Sequence, residues 1–236
     1  MKTWKIACIA VAVVAAASSV SAGVHAFANS NEWHASADGP YAAGGDIIGT
    51  GSNADWGVTC AHCHINDKQQ QGTIDFTVVA SPAFPKKNGV DVYVPGTTYQ
   101  MTTNLVGEHL GLSLPMTNFN GFALTIEDQS GKTQGVFTSD ETPPLSSASC
   151  VAVPTMLPDA IIKGSTTIRG DCHAITSLAK SNVTTWTFTW KAPAAGAGPL
   201  TVYYGAVDAD YSTNGSTRSS LGDDVKVGTK KLVEGP

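Results

Sequence analysis

Charge is scarce in this sequence. Fourteen basic and 19 acidic residues among 236 leave a formal net charge of −5. A chain so short of Lys and Arg offers no basic patch for nucleic acid or an anionic membrane. Long apolar runs are missing after the first 20 residues, so no later stretch is expected to span a bilayer. The closing residues, Lys231-Leu232-Val233-Glu234-Gly235-Pro236, carry no anchor. Sustained helical periodicity is missing after residue 60, which argues against a helical bundle. A Ser-His-Asp signature, an H-E-x-x-H pair and a phosphate-binding loop are missing too. No catalytic constellation can be read, and no enzyme is expected.

What is present begins at the N-terminus. Lys2 and Lys5 precede the apolar run Ile6–Ala17, and Val20-Ser21-Ala22 supplies small residues at a cleavage site. Residues 1–22 therefore read as a secretory signal peptide, with Cys8 discarded inside it and a mature start at Gly23 or just after Ala26. Without Lys2 and Lys5 the balance is 12 basic to 19 acidic residues, a formal net charge of −7. Export to the periplasm or the cell exterior follows as an expectation.

Export decides how the remaining cysteines are read. Cys60-Ala61-His62-Cys63-His64 is a C-x-x-C-H motif, in which two sulfurs reach one edge of a porphyrin and the adjacent His turns under the ring. This assigns Cys60 and Cys63 to thioether bonds with one covalent haem c, and His64 to the iron as proximal ligand. Cys150 and Cys172 are left, and outside the cytoplasm they are expected to form a disulfide. That bridge closes a loop of about 20 residues, worth about 3 kcal/mol in the chain-entropy view.

The organisation follows from composition. Residues 23–57 are rich in Gly, Ser, Asn, Asp and Ala and read as an irregular leader carrying His25, Trp33, His34 and Trp56. Residues 58–236 form one domain that starts with the haem motif. Alternating runs rich in Val, Ile, Thr, Tyr and Trp predict strands at 73–79, 90–94, 98–102, 121–127 and 134–137. Further strands are predicted at 160–168, 184–190, 200–207 and 225–230. Seven to nine short strands between Gly, Pro, Asn and Asp turns point to an all-β, immunoglobulin-like antiparallel β-sandwich. Trp186, Phe188 and Trp190 fall on one face at period two and are expected in its core. Tyr93 and Tyr99 flank a Pro-Gly turn.

The order of motifs resembles a family of bacterial exported proteins with a Reeler-like β-sandwich, the choice-of-anchor V domain. The resemblance rests on Cys60 to His64, Tyr93-Val94-Pro95-Gly96-Thr97-Thr98-Tyr99 and Phe119-Asn120-Gly121-Phe122. It continues through Trp186-Thr187-Phe188-Thr189-Trp190-Lys191-Ala192-Pro193 and Gly198 with Tyr203. It covers about residues 57–210 and implies the Reeler-like fold. The family's C-terminal anchor has no counterpart here, and the insert with Cys150 and Cys172 stands outside its pattern.

The opposite face of the iron needs a ligand or an open site. His62, inside the C-x-x-C loop, cannot reach it. His173 is the first choice, stiffened by Cys172 and 13 residues before the Trp186 strand, where the resemblance implies a recurring His. His109 follows, then His25 and His34, then Met101, Met116 and Met156. Bis-His ligation leaves no vacant position, so the favoured reading is a monohaem c-type cytochrome domain that transfers electrons. Its redox partner would carry a basic docking patch, and self-assembly stays open. Two other readings stand beside it. One is a binding or adhesion module whose C-x-x-C-H cysteines hold a metal or a disulfide. The other is a haem enzyme or gas sensor with an open distal site, for which Arg169, Asp171 and His173 are candidates. Asp75, Glu127, Asp128, Asp208 and Asp210 lie at strand ends or turns and are expected to be exposed.

Overall fold

The computed structural model describes residues 48–62, 74–107, 120–149, 164–169, 172–177, 183–208, 213–214, 217–218 and 223–236. Their regular elements are all strands, apart from a short 3-10 turn at Cys60–His62. The strands are β1 (Asp75–Ser81), β2 (Lys86–Lys87), β3 (Val90–Tyr93), β4 (Thr98–Val106) and β5 (Gly121–Asp128). There follow β6 (Val136–Thr138), β7 (Thr166–Arg169), β8 (Ala174–Ser177), β9 (Thr185–Lys191) and β10 (Leu200–Asp208). The small ribbon β11 (Thr213–Asn214) with β12 (Thr217–Arg218) and the long β13 (Asp224–Glu234) complete the chain.

Two sheets face one another. The smaller has the order β1-β4-β9-β6, and the larger β2-β3-β13-β10-β5-β8-β7. This is the all-β sandwich expected from the strand pattern. One pairing departs from the antiparallel rule: Leu232–Glu234 of β13 runs parallel to Asp91–Tyr93 of β3. Polar contacts fix that register. Lys86 and Lys230 hold the buried Asp91 carboxylate at 2.6 and 2.5 Å. The Glu234 carboxylate accepts from Gly196 N–H, Gly198 N–H and the Tyr93 hydroxyl. Burial, helped by the Glu234 charge, pushes the Tyr93 phenol up to about 12.

The core fills by period two. Trp186, Phe188 and Trp190 of β9 point inward while Thr185 and Lys191 stay exposed. They meet Phe122, Leu124 and Ile126 of β5 and Leu200 and Val202 of β10. Ring contacts lock the two layers: Phe122 lies 5.1 Å from Trp186, and Tyr93 of the larger sheet meets Trp190 edge-on at 6.0 Å. Truncating either tryptophan to Ala would cost about 3–5 kcal/mol. Met101 is also core, with 1% exposure.

At one edge the sheets are tied by Asp140, which follows β6. Its carboxylate accepts from the backbone N–H and hydroxyl of both Ser165 and Thr166, at 2.6–2.8 Å, at the start of β7. Burial alone would raise the Asp140 carboxyl, but these four donors hold it below its ordinary value.

Strand β5 is buried on both faces, and so is most of β10. Something must therefore cover the outside of the larger sheet there. Part of the cover is the segment just ahead of the C-x-x-C-H motif, which meets Glu127 of β5 and Gly205 of β10.

Candidate functional site

Residues 48–60 form a small hairpin closed by the bridge between Thr50 and Thr59. Gly51 N–H donates to Val58 O at 2.8 Å, and Cys60 N–H donates to Gly49 O at 2.9 Å. Gly49, Gly51 and Gly57 have φ of 83°, 79° and 76°, the left-handed region where Gly carries no Cβ penalty. Trp56 sits at the tip with φ 53°, a conformation that costs a bulky residue about 1–3 kcal/mol. Its indole is 78% exposed. The hairpin belongs to the stretch read from composition as an irregular leader, yet residues 48–57 are packed against the sandwich.

Two carboxylates hold the hairpin down. Glu127, at the end of β5 and fully buried, accepts from Asn53 N–H at 3.1 Å and Ala54 N–H at 3.0 Å. Asp55, also fully buried, accepts from Ile48 N–H and Thr50 N–H, both at 2.8 Å, and from the Thr50 hydroxyl. The turn after β5 abuts the same loop, since a Cβ at Gly131 would lie 2.5 Å from the Asn53 amide nitrogen. Glu127 and Asp208 were expected at the surface. Both are buried, Glu127 because the hairpin closes over its strand end.

His173 joins this arrangement. Its Nε2 lies 3.2 Å from Asp55 Oδ1, and its ring is only 11% exposed. Its carbonyl accepts from the Thr125 hydroxyl on β5 at 2.6 Å, which fixes the backbone just ahead of β8. Burial pushes the Asp55 carboxyl up. The His173 contact, followed by the Ile48 and Thr50 donors, outweighs it and holds the group below the ordinary carboxylate range. Asp55 is thus a buried anion that links the hairpin to His173.

Cys60 ends the hairpin and opens the motif. Its sulfur lies 3.4 Å from Gly49 O, over the backbone of Gly205 on β10. A Cβ at Gly205 would come within 2.6 Å of that sulfur and 3.1 Å of Gly49 O. Only a residue without a side chain lets the hairpin lie this close. Val227 on β13 pairs with Gly205, shares its face and is 41% exposed. Cys60 is therefore half-buried, with the exposed Val227 beside the Gly205 backbone on which its sulfur rests.

Cys63 and His64 lie outside the described residues, as do Cys150, His25, His34, His109, Met116, Met156, Asp171 and Asp210. Cys172 is disulfide-bonded and has φ 68°, and its expected partner, Cys150, is among the residues outside the described ones. Cys60 is the last residue of the hairpin, His173 touches the hairpin from outside through Asp55, and Met101 lies in the core. Among the described residues no group of three His, Cys, Asp or Glu side chains could hold a metal ion. None of their helices is long and apolar enough to cross a membrane.

No family model matches the chain, and no curated protein does. Solved structures do resemble it. The human F-spondin reeler domain is 21% identical, with a TM-score of 0.39, over 70% of this chain and 92% of that one. The Reelin-N domain of F-spondin is 20% identical, with a TM-score of 0.39, over 71% and 91%. AvmM, described as catalysing macrocyclization in alchivemycin A biosynthesis, is 10% identical with a TM-score of 0.33, over 73% and 96%.

Asp55, Glu127, Thr125 and Gly205 are site residues that the motif does not contain. Gly205 left a signal in the sequence, since a Gly inside a strand pattern marks a close backbone approach. Asp55 and Glu127 left none.

Proposed function

We propose that this chain is an exported, monohaem c-type cytochrome domain that transfers electrons, of the choice-of-anchor V type that its motif order resembles. The observation that carries the reading is the shared hairpin. One rigid loop presents Cys60, the first residue of C-x-x-C-H, on the outer face of the larger sheet and holds His173 through Asp55. Cys60 and Cys63 would hold the haem covalently, and His64 would be its proximal ligand. When bound, the group supplies one-electron oxidation and reduction. The residues fit such a group in two respects. The bare Gly205 backbone lets the hairpin carrying Cys60 lie flat on the sheet, and two apolar side chains, Trp56 of that hairpin and Val227 beside Gly205, are exposed.

His173 is proposed as the sixth ligand on one condition. The nitrogen usually offered to haem iron, Nε2, is the one engaged by Asp55, so ligation requires that contact to be given up or the ring to bind through Nδ1. The acidic balance of the mature chain suits a partner with a basic docking patch. The periplasm or the cell exterior, the compartments in which such haem is attached, are the proposed locations.

The test is an optical spectrum of protein made with a haem-maturation system and then denatured to strip loose haem. A reduced α-band that survives denaturation supports covalent attachment, and Cys60→Ala together with Cys63→Ala should abolish it. A low-spin spectrum that turns high-spin in His173→Ala supports the sixth ligand. Colourless protein would overturn the cytochrome reading and leave an exported binding module.

A further inference from the structure

Trp56 stands out because the fold fixes it where a tryptophan is least at ease. It is 78% exposed, the most exposed large apolar side chain among the described residues, and it holds φ 53°. The loop gives it little freedom. Trp56 N–H donates to Asn53 O at 3.0 Å and Gly57 N–H to Ser52 O at 2.8 Å, while the flanking Asp55 is buried and fully engaged. An indole held rigidly in solvent is pre-positioned for a flat apolar contact.

Its neighbours indicate what that contact is. Trp56 precedes Cys60 by four residues, a span of at most about 14 Å even if fully extended. Val227 is exposed beside Gly205, the residue over which the Cys60 sulfur rests. One exposed apolar side chain thus stands four residues before the cysteine on the same hairpin, and another beside the strand residue on which its sulfur rests. The group that would lie over both is the one the cysteine carries.

We propose that Trp56 and Val227 are haem-packing residues that cover the porphyrin attached at Cys60; this rests on the covalent-haem reading above. Trp56 is then a wall of the cofactor site and not an anchor for a protein partner. The hairpin's rigidity serves to hold that wall in place.

Hydroxyl-radical footprinting with peptide mapping tests the assignment. Labelling of Trp56 is compared between haem-loaded protein and the same chain made without the maturation system. Trp56 should lose most of its labelling in the loaded form. Should the haem-free chain not fold, Soret circular dichroism of haem-loaded Trp56→Leu decides, since loss of a stacked indole changes that band. Covalent haem with Trp56 labelled alike in both forms, or with an unchanged Soret signal, overturns this proposal alone. Absence of any covalent haem overturns the cytochrome reading as well.

Discussion

Replacing Glu127 by Gln should release the hairpin while leaving the sandwich intact. The Glu127 carboxylate accepts two backbone N–H groups, from Asn53 at 3.1 Å and from Ala54 at 3.0 Å. In Gln one oxygen becomes an NH2 donor facing an N–H, so at least one contact is lost and the charge assisting the other disappears. A hydrogen bond to an ionised acceptor contributes about 1.5–3 kcal/mol, and a loss of about 2 kcal/mol raises the local opening equilibrium about 30-fold. The amides of Gly51, Gly57, Val58 and Cys60 report that opening, because each donates to a carbonyl within the hairpin. Their hydrogen exchange in Glu127→Gln should quicken by about that factor, while strand amides of β9 keep their protection. Unchanged exchange at Gly51, Val58 and Cys60 would show that the hairpin is held by something else, and the reasoning would fail.

Gly205→Ala should destabilise the fold although Ala suits a strand better than Gly. The new Cβ meets the Cys60 sulfur at 2.6 Å and Gly49 O at 3.1 Å, an overpacking worth about 1–3 kcal/mol. Pairing it with Cys60→Ala should recover part of the loss in thermal melts, and strict additivity would refute the contact. Asp140→Asn should lower stability by about 1.5–3 kcal/mol at neutral pH, because four donors lose an ionised acceptor. The Asp140 carboxyl is depressed in the folded state. Its contribution is therefore complete above the unfolded carboxylate value of about 3.9 and is lost as pH falls through the lower folded value. Melting temperatures between pH 2 and 7 should show a flatter acid limb in Asp140→Asn than in the wild type, and parallel curves would contradict this.

The readable and unreadable parts of the fold divide along one physical line. Trp186, Phe188 and Trp190 declared themselves by period two, because alternation is a property of the strand alone. Strand β8, Ala174–Ser177, was missed because four residues hold too little periodicity, and its place beside β5 depends on tertiary pairing. The site divides the same way. C-x-x-C-H is legible because its chemistry needs consecutive residues. Asp55 and His173 are 118 residues apart, and Asn53 and Glu127 are 74 apart, so neither contact leaves a local pattern. Glu127 read as an ordinary strand-end carboxylate until the hairpin was seen to cover it.

That division bears on how the site can be probed. On the proposed haem reading the legible half is the covalent half, and substituting Cys60 or Cys63 would remove attachment without testing what positions the group. The illegible half is the platform. It consists of two buried carboxylates that each collect backbone N–H groups of one hairpin, with the bare Gly205 backbone against its Cys60 end. Such a platform is specified by direction, since an ionised carboxylate in a low-dielectric setting enforces the geometry of its donors more strictly than apolar packing does. Loosening it at Glu127, with both cysteines kept, separates attachment from positioning. On the proposed reading, if positioning matters to electron transfer, Glu127→Gln should retain covalent haem and alter its environment, read as a changed Soret circular dichroism. A variant with looser hairpin amides and an unaltered Soret signal would show that the platform serves folding only.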